Sequence, residues 1–302
     1  MKIAVMGAGA VGCFFGALLH RAGHDVVLIG RPALVEAVRG HGLHLQMAQL
    51  DQFLPLQAEL SAEAVQDAQL VLFCVKSGQT EAAGAAMAPF LAPQATVLCL
   101  QNGVDNAERL TRVLQRAAIP VAVYVAAGMA GPGHVVHHGR SELVLGPAAT
   151  SESTAAILSA AGIPTTVSTR IHETLWIKLT INCAYNALSA LTQLPYGEMV
   201  LRPGVVAAMR AAVDECRRVA EAAGITLPEH IWDDTFEISR SMAGQRSSTA
   251  LDVARGRRSE IDFINGHVVR EGERLGVATP VNGLLHGLIK IKDDRLPATP
   301  VA

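Results

Sequence analysis

Up to about Gly131 the chain alternates short apolar runs with helix-like stretches. Lys2-Ile3-Ala4-Val5-Met6 predicts a short buried strand, Gly7 to Gly12 a tight turn, and Cys13 through Leu19 the helix that follows. A second strand, Asp25 to Ile29, arrives after Gly23-His24. Leu70 to Val75, Ala95 to Leu100 and Val121 to Ala127 are further strand-length apolar runs, and Gln79 to Leu91 is an alanine-rich helix ending before Pro93. Continuous apolar runs suit parallel strands covered on both faces. Strands alternating with helices predict an α/β fold with a doubly wound parallel sheet. Beyond the Gly131-Pro132-Gly133 turn, His134 to His138 and Glu142 to Leu145 read as short strands flanking Gly139, an antiparallel edge hairpin. After about Ser168 the strand signals nearly vanish. Ile171 to Leu191, Gly204 to Ala223, Glu229 to Met242, Glu260 to Leu275 and Val281 to Ile291 read as helices, with Pro195, Gly224, Pro228, Gly276 and Pro280 marking ends. The expected organisation is one α/β domain over residues 1–168 and an all-α domain over 169–302.

The first turn carries chemistry. Gly7-Ala8-Gly9-Ala10-Val11-Gly12 is G-x-G-x-x-G between a strand and a helix, the Rossmann-type arrangement that holds a dinucleotide pyrophosphate. The first glycine allows the turn, the second admits the phosphates and the third lets helix and strand approach. The helix N-terminus adds unpaired N–H groups and a positive dipole end. A lysine before an apolar run also resembles a signal peptide. Against that, glycines interrupt the run and a second strand follows on schedule.

Composition narrows the class. The chain has 302 residues, half of them apolar and 17% charged, with a net charge of −2. That length supports one or two domains with sizeable cores. No apolar stretch has the length of a membrane span. The near-neutral balance gives no electrostatic case for nucleic acid or an anionic membrane as a partner. The five cysteines (Cys13, Cys74, Cys99, Cys183, Cys216) are odd in number, scattered and without C-x-x-C spacing, which suits buried thiols in a reducing, cytoplasmic compartment. The sequence leaves a homodimer open.

Three further elements bear on function. A chain selecting NAD places a carboxylate near the end of the second strand. Here Ile29 is followed by Gly30-Arg31-Pro32, which favours the 2′-phosphate of NADP over a solvated loop role for Arg31. Lys76 follows an apolar strand, at the sheet edge that faces ligands in such folds, and also suits a plain solvated loop end. On the helix from Ile171, Lys178, Asn182 and Asn186 recur at i, i+4 and i+8, drifting only about 40° per step, so they share one face of an otherwise apolar helix. That stripe fits either a solvated face or a site that fixes hydroxyls and a carboxylate, with the lysine as proton donor. Ser247 to Asp252 is a loop or helix start. Beyond it, Ser259 reads as an N-cap closed by Asp262, placing Glu260 in a first helical turn. His134, His137 and His138 lack a completing ligand set, so no metal is expected. Trp176 and Trp232 read as helix-face packing residues.

Taken in order, Gly7 to Gly12, Cys74-Val75-Lys76, Leu100-Gln101-Asn102-Gly103, Lys178-Leu179-x-x-Asn182-x-x-x-Asn186, and Ser248 with Glu260-Ile261-Asp262-x-x-Asn265-Gly266 resemble the ketopantoate reductase (2-dehydropantoate 2-reductase) family over nearly the whole chain. The resemblance implies NADPH-dependent reduction of 2-dehydropantoate to pantoate in pantothenate biosynthesis. It also implies a helical domain similar to the C-terminal domain of 6-phosphogluconate dehydrogenase, and an active site between the domains. By position, Lys178 matches the catalytic lysine and Glu260 the active-site glutamate near nicotinamide and substrate. Asn182, Asn186 and Ser248 match substrate contacts. Arg31, Lys76 and Asn102 match cofactor contacts, with Asn102 also facing substrate. The chain departs from the pattern in one place: some members have Pro-Asn-Gly after the catalytic helix, whereas here Pro195-Tyr196-Gly197 stands, so Tyr196 offers a hydroxyl of different reach. Two rivals share these residues: a paralogue reducing another 2-oxo acid, and a non-catalytic protein that senses the NADP redox state. A sensor needs no proton donor, which the Lys178 set supplies.

Overall fold

The structure, a computed structural model, describes residues 1–296; residues 297–302, the end of the expected second domain, lie outside the described residues. The chain divides into two compact units, Met1–Ile171 and His172–Ala302.

The first unit runs β1 (Lys2–Met6), α1 (Ala10–Arg21), β2 (Asp25–Ile29), α2 (Pro32–His41), β3 (Leu43–Met47), β4 (Leu50–Leu54), β5 (Gln57–Glu59), β6 (Leu70–Phe73), α3 (Thr80–Met87), β7 (Thr96–Cys99), α4 (Asn106–Leu114), β8 (Ile119–Gly131), β9 (His134–Leu145), α5 (Ser151–Ala160) and β10 (Thr165–Val167). Its strands form one sheet in the order β4-β3-β9-β8-β7-β6-β1-β2-β5, with β10 beside β9. From β5 across to β8 every pairing is parallel. Successive side chains of a strand point to opposite faces. On β1, Ile3 and Val5 join Phe14 and Phe15 of α1, while Ala4 and Met6 join Met87 of α3 and Leu110 of α4. Both faces are therefore dry, which is why the run reads as continuously apolar.

The expected edge hairpin is not there. His134 to Leu145 is one long strand, antiparallel to β8 and parallel to β3, so it lies inside the sheet. Val125 pairs with Ser141 and Ala126 with Gly139, leaving Arg140 as the extra residue of a bulge. Gly139 (φ 140°) and Arg140 (φ 56°) sit in left-handed backbone at that point. A glycine inside a strand pattern marks such a bulge as readily as a turn.

The second unit is helical: α6 (Ile171–Thr192), α7 (Tyr196–Met199), α8 (Pro203–Ala222), α9 (Ile231–Ser241), α10 (Ser248–Ala254), α11 (Asn265–Leu275) and α12 (Pro280–Asp294). The helix expected from Glu260 is broken. Residues 261–263 form a single 3-10 turn, Ile264 leaves helical geometry (φ −112°, ψ −101°), and α11 starts at Asn265.

A buried polar chain explains where that helix restarts. Glu215 of α8, 2% exposed, accepts from Val281 N (2.8 Å), Asn282 N (2.9 Å) and Asn282 Nδ2 (2.8 Å) at the start of α12. With its amide nitrogen committed to Glu215 and the Ala212 carbonyl (3.2 Å), Asn282 turns Oδ1 to Asn265 Nδ2 (2.9 Å). Asn265 Nδ2 in turn donates to the Cys183 carbonyl of α6 (3.1 Å). The carboxylate thus fixes the direction of every donor in the chain. Glu215→Leu strands two main-chain donors, the part-buried Val281 N and the buried Asn282 N, at about 1–3 kcal/mol each, and leaves Asn282 Nδ2 with the Ala212 carbonyl alone. Denaturant unfolding of the full chain is expected to show a loss of at least about 2 kcal/mol, and a loss under about 1 kcal/mol would contradict this account.

Candidate functional site

The glycine turn is built by close approach. Gly7 has φ 97°, and a Cβ there would sit 2.6 Å from Val75 N; a Cβ on Gly12 would sit 2.7 Å from the Gly7 carbonyl oxygen. Neither position accepts a side chain. The turn is tied down by Gly7 N and Ala8 N donating to the Ile29 carbonyl (3.0 and 2.9 Å) and by Gly9 N donating to the Gly7 carbonyl (2.8 Å). Gly9 is different: a Cβ there would meet nothing within 4 Å. It is the N-cap of α1, and no side chain caps that helix. The first-turn amides of α1 therefore open onto free space, as a pyrophosphate requires. One strand over, Arg31 follows β2, is exposed, and pairs with no described residue. These residues fit a dinucleotide, with a guanidinium standing beyond the second strand.

Lys76 and Asn102 follow β6 and β7, so all four candidate cofactor elements lie at the carboxyl ends of the adjacent strands β2, β1, β6 and β7. Lys76 is exposed and Asn102 half-buried. Their loops are joined by polar side chains that the sequence did not single out. Gln101 Nε2 donates to the Val75 carbonyl (2.9 Å) and to Thr80 Oγ1 (2.8 Å). Ser77 Oγ and Asn106 Nδ2 both donate to the Asn102 carbonyl (3.0 and 2.6 Å).

In the second unit α6 carries the polar stripe. Lys178 and Asn182 are half-buried, and Asn186 is 3% exposed. The side-chain amides of Asn182 and Asn186 make no hydrogen bond to any described residue; only the Asn186 main-chain carbonyl is engaged, by Ser247 Oγ (3.1 Å). Asn186 is thus a buried residue whose amide has no partner among the described residues and keeps only a narrow contact with solvent, which leaves its donors and acceptor open to a ligand. Ser247 also caps α10 by accepting from Ala250 N (3.0 Å), and its own N–H donates to Ser189 Oγ (3.2 Å) on α6. Ser248, the next residue, is exposed as the first residue of α10. Glu260 is 8% exposed just before the 3-10 turn. The stretches of Ser248 and Glu260, both distant from α6 in sequence, are thus pinned to its Asn186 and Cys183 carbonyls through the neighbouring Ser247 and Asn265.

Other expectations resolve differently. The capping box does not form: Ser259 Oγ accepts from Ile261 N (3.3 Å) but donates to Asp293 (2.7 Å), and Asp262 turns to His286 and Lys290. The Tyr196 ring is a packing residue, 8% exposed, 4.6 Å from the Tyr185 ring, with burial pushing its phenol upward. Its hydroxyl makes no hydrogen bond to a described residue. Trp176 is buried edge-on to His267, and Trp232 packs beside Phe236 under Arg210. His134 stacks on His44 (3.9 Å) and His137 on Phe14 (4.3 Å). Among the described residues no group of three or more His, Cys, Asp or Glu could hold a metal ion. All five cysteines are free, and burial pushes Cys13 and Cys99 up to about 12, so these thiols stay protonated. Among the described residues no helix is long and apolar enough to cross a membrane.

Comparison with known proteins gives the family and the fold. Residues 3–150 match the family model "Ketopantoate reductase PanE/ApbA", and residues 170–293 match its C-terminal counterpart. A 2-dehydropantoate 2-reductase of Archaeoglobus fulgidus is 32% identical, covering 96% of this chain and 97% of that protein. A PanE/ApbA family ketopantoate reductase structure from Ralstonia eutropha JMP134 superposes with a TM-score of 0.95 at 50% identity, covering 98% of this chain and 99% of the other. D-Mandelate dehydrogenase, solved with NADH and anilino(oxo)acetate, superposes at 0.92 with 27% identity, again covering 98% and 99%.

The Glu260 segment has its own acid sensitivity. Asp262 accepts from His286 Nε2 (2.6 Å) and Lys290 Nζ (2.9 Å), which hold its carboxyl at about 2 rather than the ordinary 3.8. A lowered folded value means the ionised form stabilises the fold above about pH 4, and that contribution disappears as pH falls toward 2. Asp262→Asn is expected to flatten the dependence of unfolding free energy on pH across that window. An unchanged slope would count against the assignment.

Proposed function

The chain belongs to the ketopantoate reductase family, a family of oxidoreductases, and from that premise we propose that it reduces 2-dehydropantoate to pantoate with NADPH, a step of pantothenate biosynthesis. The observation that carries this is the α6 stripe: a lysine on one face with two amides, one of them on a residue 3% exposed and without a partner among the described residues. Gly7 to Gly12 with the first turn of α1 hold the pyrophosphate, Arg31 pairs with the 2′-phosphate, and Lys76 and Asn102 complete the cofactor contacts. When bound, the nicotinamide supplies the hydride to the carbonyl carbon of the 2-oxo acid. The Lys178 ammonium stabilises the negative charge that develops on the carbonyl oxygen and donates the proton. Asn182 and Asn186 orient the substrate without adding charge. The Ser248 hydroxyl donates to the substrate carboxylate. Glu260 accepts from the substrate hydroxyl and keeps Lys178 oriented. The free, buried thiols suit a cytoplasmic location.

A second activity, reduction of another 2-oxo acid, is favoured by one observation. Tyr196 packs an aromatic ring against Tyr185 where some relatives have an asparagine, and D-mandelate dehydrogenase has this same fold.

Turnover assays decide these points. Lys178→Ala is expected to lower kcat/KM for 2-dehydropantoate at least about a thousandfold, as loss of both a proton donor and a charge partner should. Near-full turnover in that variant would sink the assignment. Wild type is expected to prefer NADPH to NADH, and Arg31→Ala to erase most of that preference by weakening NADPH alone. Equal use of both cofactors by wild type would remove the case for Arg31. Faster turnover of an aryl or other 2-oxo acid than of 2-dehydropantoate would favour the second activity.

A further inference from the structure

We propose that Gln101 and Asn106, with Ser77 and Arg109, are positioning residues that aim Lys76 and Asn102 at the cofactor. This rests on the reading of Lys76 and Asn102 as cofactor contacts. The main chain on both sides of Lys76 is held by side chains: the Val75 carbonyl accepts from Gln101 Nε2 (2.9 Å), and the Ser77 carbonyl accepts from Arg109 Nη2 (3.0 Å) and Thr80 Oγ1 (3.0 Å). The Asn102 carbonyl is held twice, by Ser77 Oγ (3.0 Å) and Asn106 Nδ2 (2.6 Å). Asn106 Nδ2 also reaches Ser77 Oγ (3.2 Å), and Asn106 Oδ1 accepts from Arg109 Nη1 (3.0 Å). Arg109 is itself fixed from outside by a two-pronged contact with Glu81 of α3, Nε to Oε1 at 2.7 Å and Nη2 to Oε2 at 2.6 Å. The result is one weld joining the loop after β6 to the loop after β7.

The chemistry of the weld is not that of a core. Gln101 is 5% exposed, Asn106 2%, and Ser77 and Thr80 fully buried. Apolar residues of similar shape at such positions, with both partners of each bond replaced, are often neutral or stabilising. A polar network this complete gains a single geometry rather than stability. The groups given that geometry are the main-chain atoms flanking Lys76 and the carbonyl of Asn102. A flexible lysine side chain contacts a bound phosphate or ribose best when its Cα does not wander, because a shift of about 1 Å away from the chemistry can cost up to about a hundredfold in rate.

The test compares Gln101→Met and Asn106→Leu, which keep volume and remove the donors, with Lys76→Ala. Each is titrated with NADPH by fluorescence, assayed for kcat and cofactor KM, and melted. Both weld variants are expected to raise the NADPH dissociation constant and KM about tenfold and to keep kcat at saturating NADPH within about threefold, with a melting midpoint lowered because each removes only one partner of its buried bonds. NADPH binding within twofold of wild type in both, while Lys76→Ala weakens it, would overturn the positioning role and leave the contact reading standing. Unchanged binding in Lys76→Ala and Asn102→Ala alike would instead overturn the contact reading and this inference with it. Should either weld variant fail to fold, Ser77→Ala removes one hydroxyl of the same weld and carries the same test, with a rise of about threefold expected and wild-type binding overturning the proposal.

Discussion

Two main-chain carbonyls of α6 organise the second unit. Ser247 Oγ donates to the carbonyl of Asn186 and Asn265 Nδ2 to that of Cys183. The first bond fixes the segment that presents Ser248, and the second fixes the restart of helix after Glu260. Behind Asn265 stands a buried carboxylate, Glu215, which sets the polarity of the amides between α8, α12 and α11. Groups scattered from Glu215 to Asn282 are referred in this way to one rigid helix. That helix also presents Lys178, Asn182 and Asn186. Precise placement of a few polar groups on rigid elements is what substrate orientation demands.

The first unit solves the complementary problem with missing atoms. At Gly7 and Gly12 a Cβ would collide with main chain, so the turn after β1 can lie flush against the loop after β6. At Gly9 the same absence leaves open space in front of the first turn of α1. Close packing behind and openness in front are both consequences of glycine, and together they make a helix N-terminus available to an anion. The polar weld behind Lys76 and Asn102 extends the same logic to the neighbouring strands.

Much of this was legible in the chain. β2 runs over Asp25–Ile29 as its apolar run implies, and α6 extends only one residue past its expected end, because both have strong periodicity and clear punctuation. What was illegible is tertiary. Gly139 looks like a turn until β8 is seen pairing with the residues on both sides of it. The Glu260 helix looks continuous because nothing local breaks it at Ile264; the break belongs to Asn265 and its distant partners. Glu215 left a trace, a carboxylate among Val213, Cys216 and Val219 on the apolar side of α8, but a trace names no partner. Tyr196 reads as a hydroxyl in the motif, whereas packing makes it a ring against Tyr185. The stripe on α6 was visible as a pattern. The structure adds that Asn186 is a buried residue whose amide has no partner among the described residues.

That last point holds the account together, and a single substitution tests it. Asn186→Leu replaces an amide that has no partner among the described residues, on a residue 3% exposed, by an apolar side chain of similar shape. A group kept for ligand rather than for fold predicts opposite signs: unfolding free energy up by about 1 kcal/mol, and kcat/KM for the 2-oxo acid down at least about a hundredfold with NADPH binding unchanged. A less stable protein that retains wild-type turnover would show that Asn186 serves the fold alone and would contradict the account.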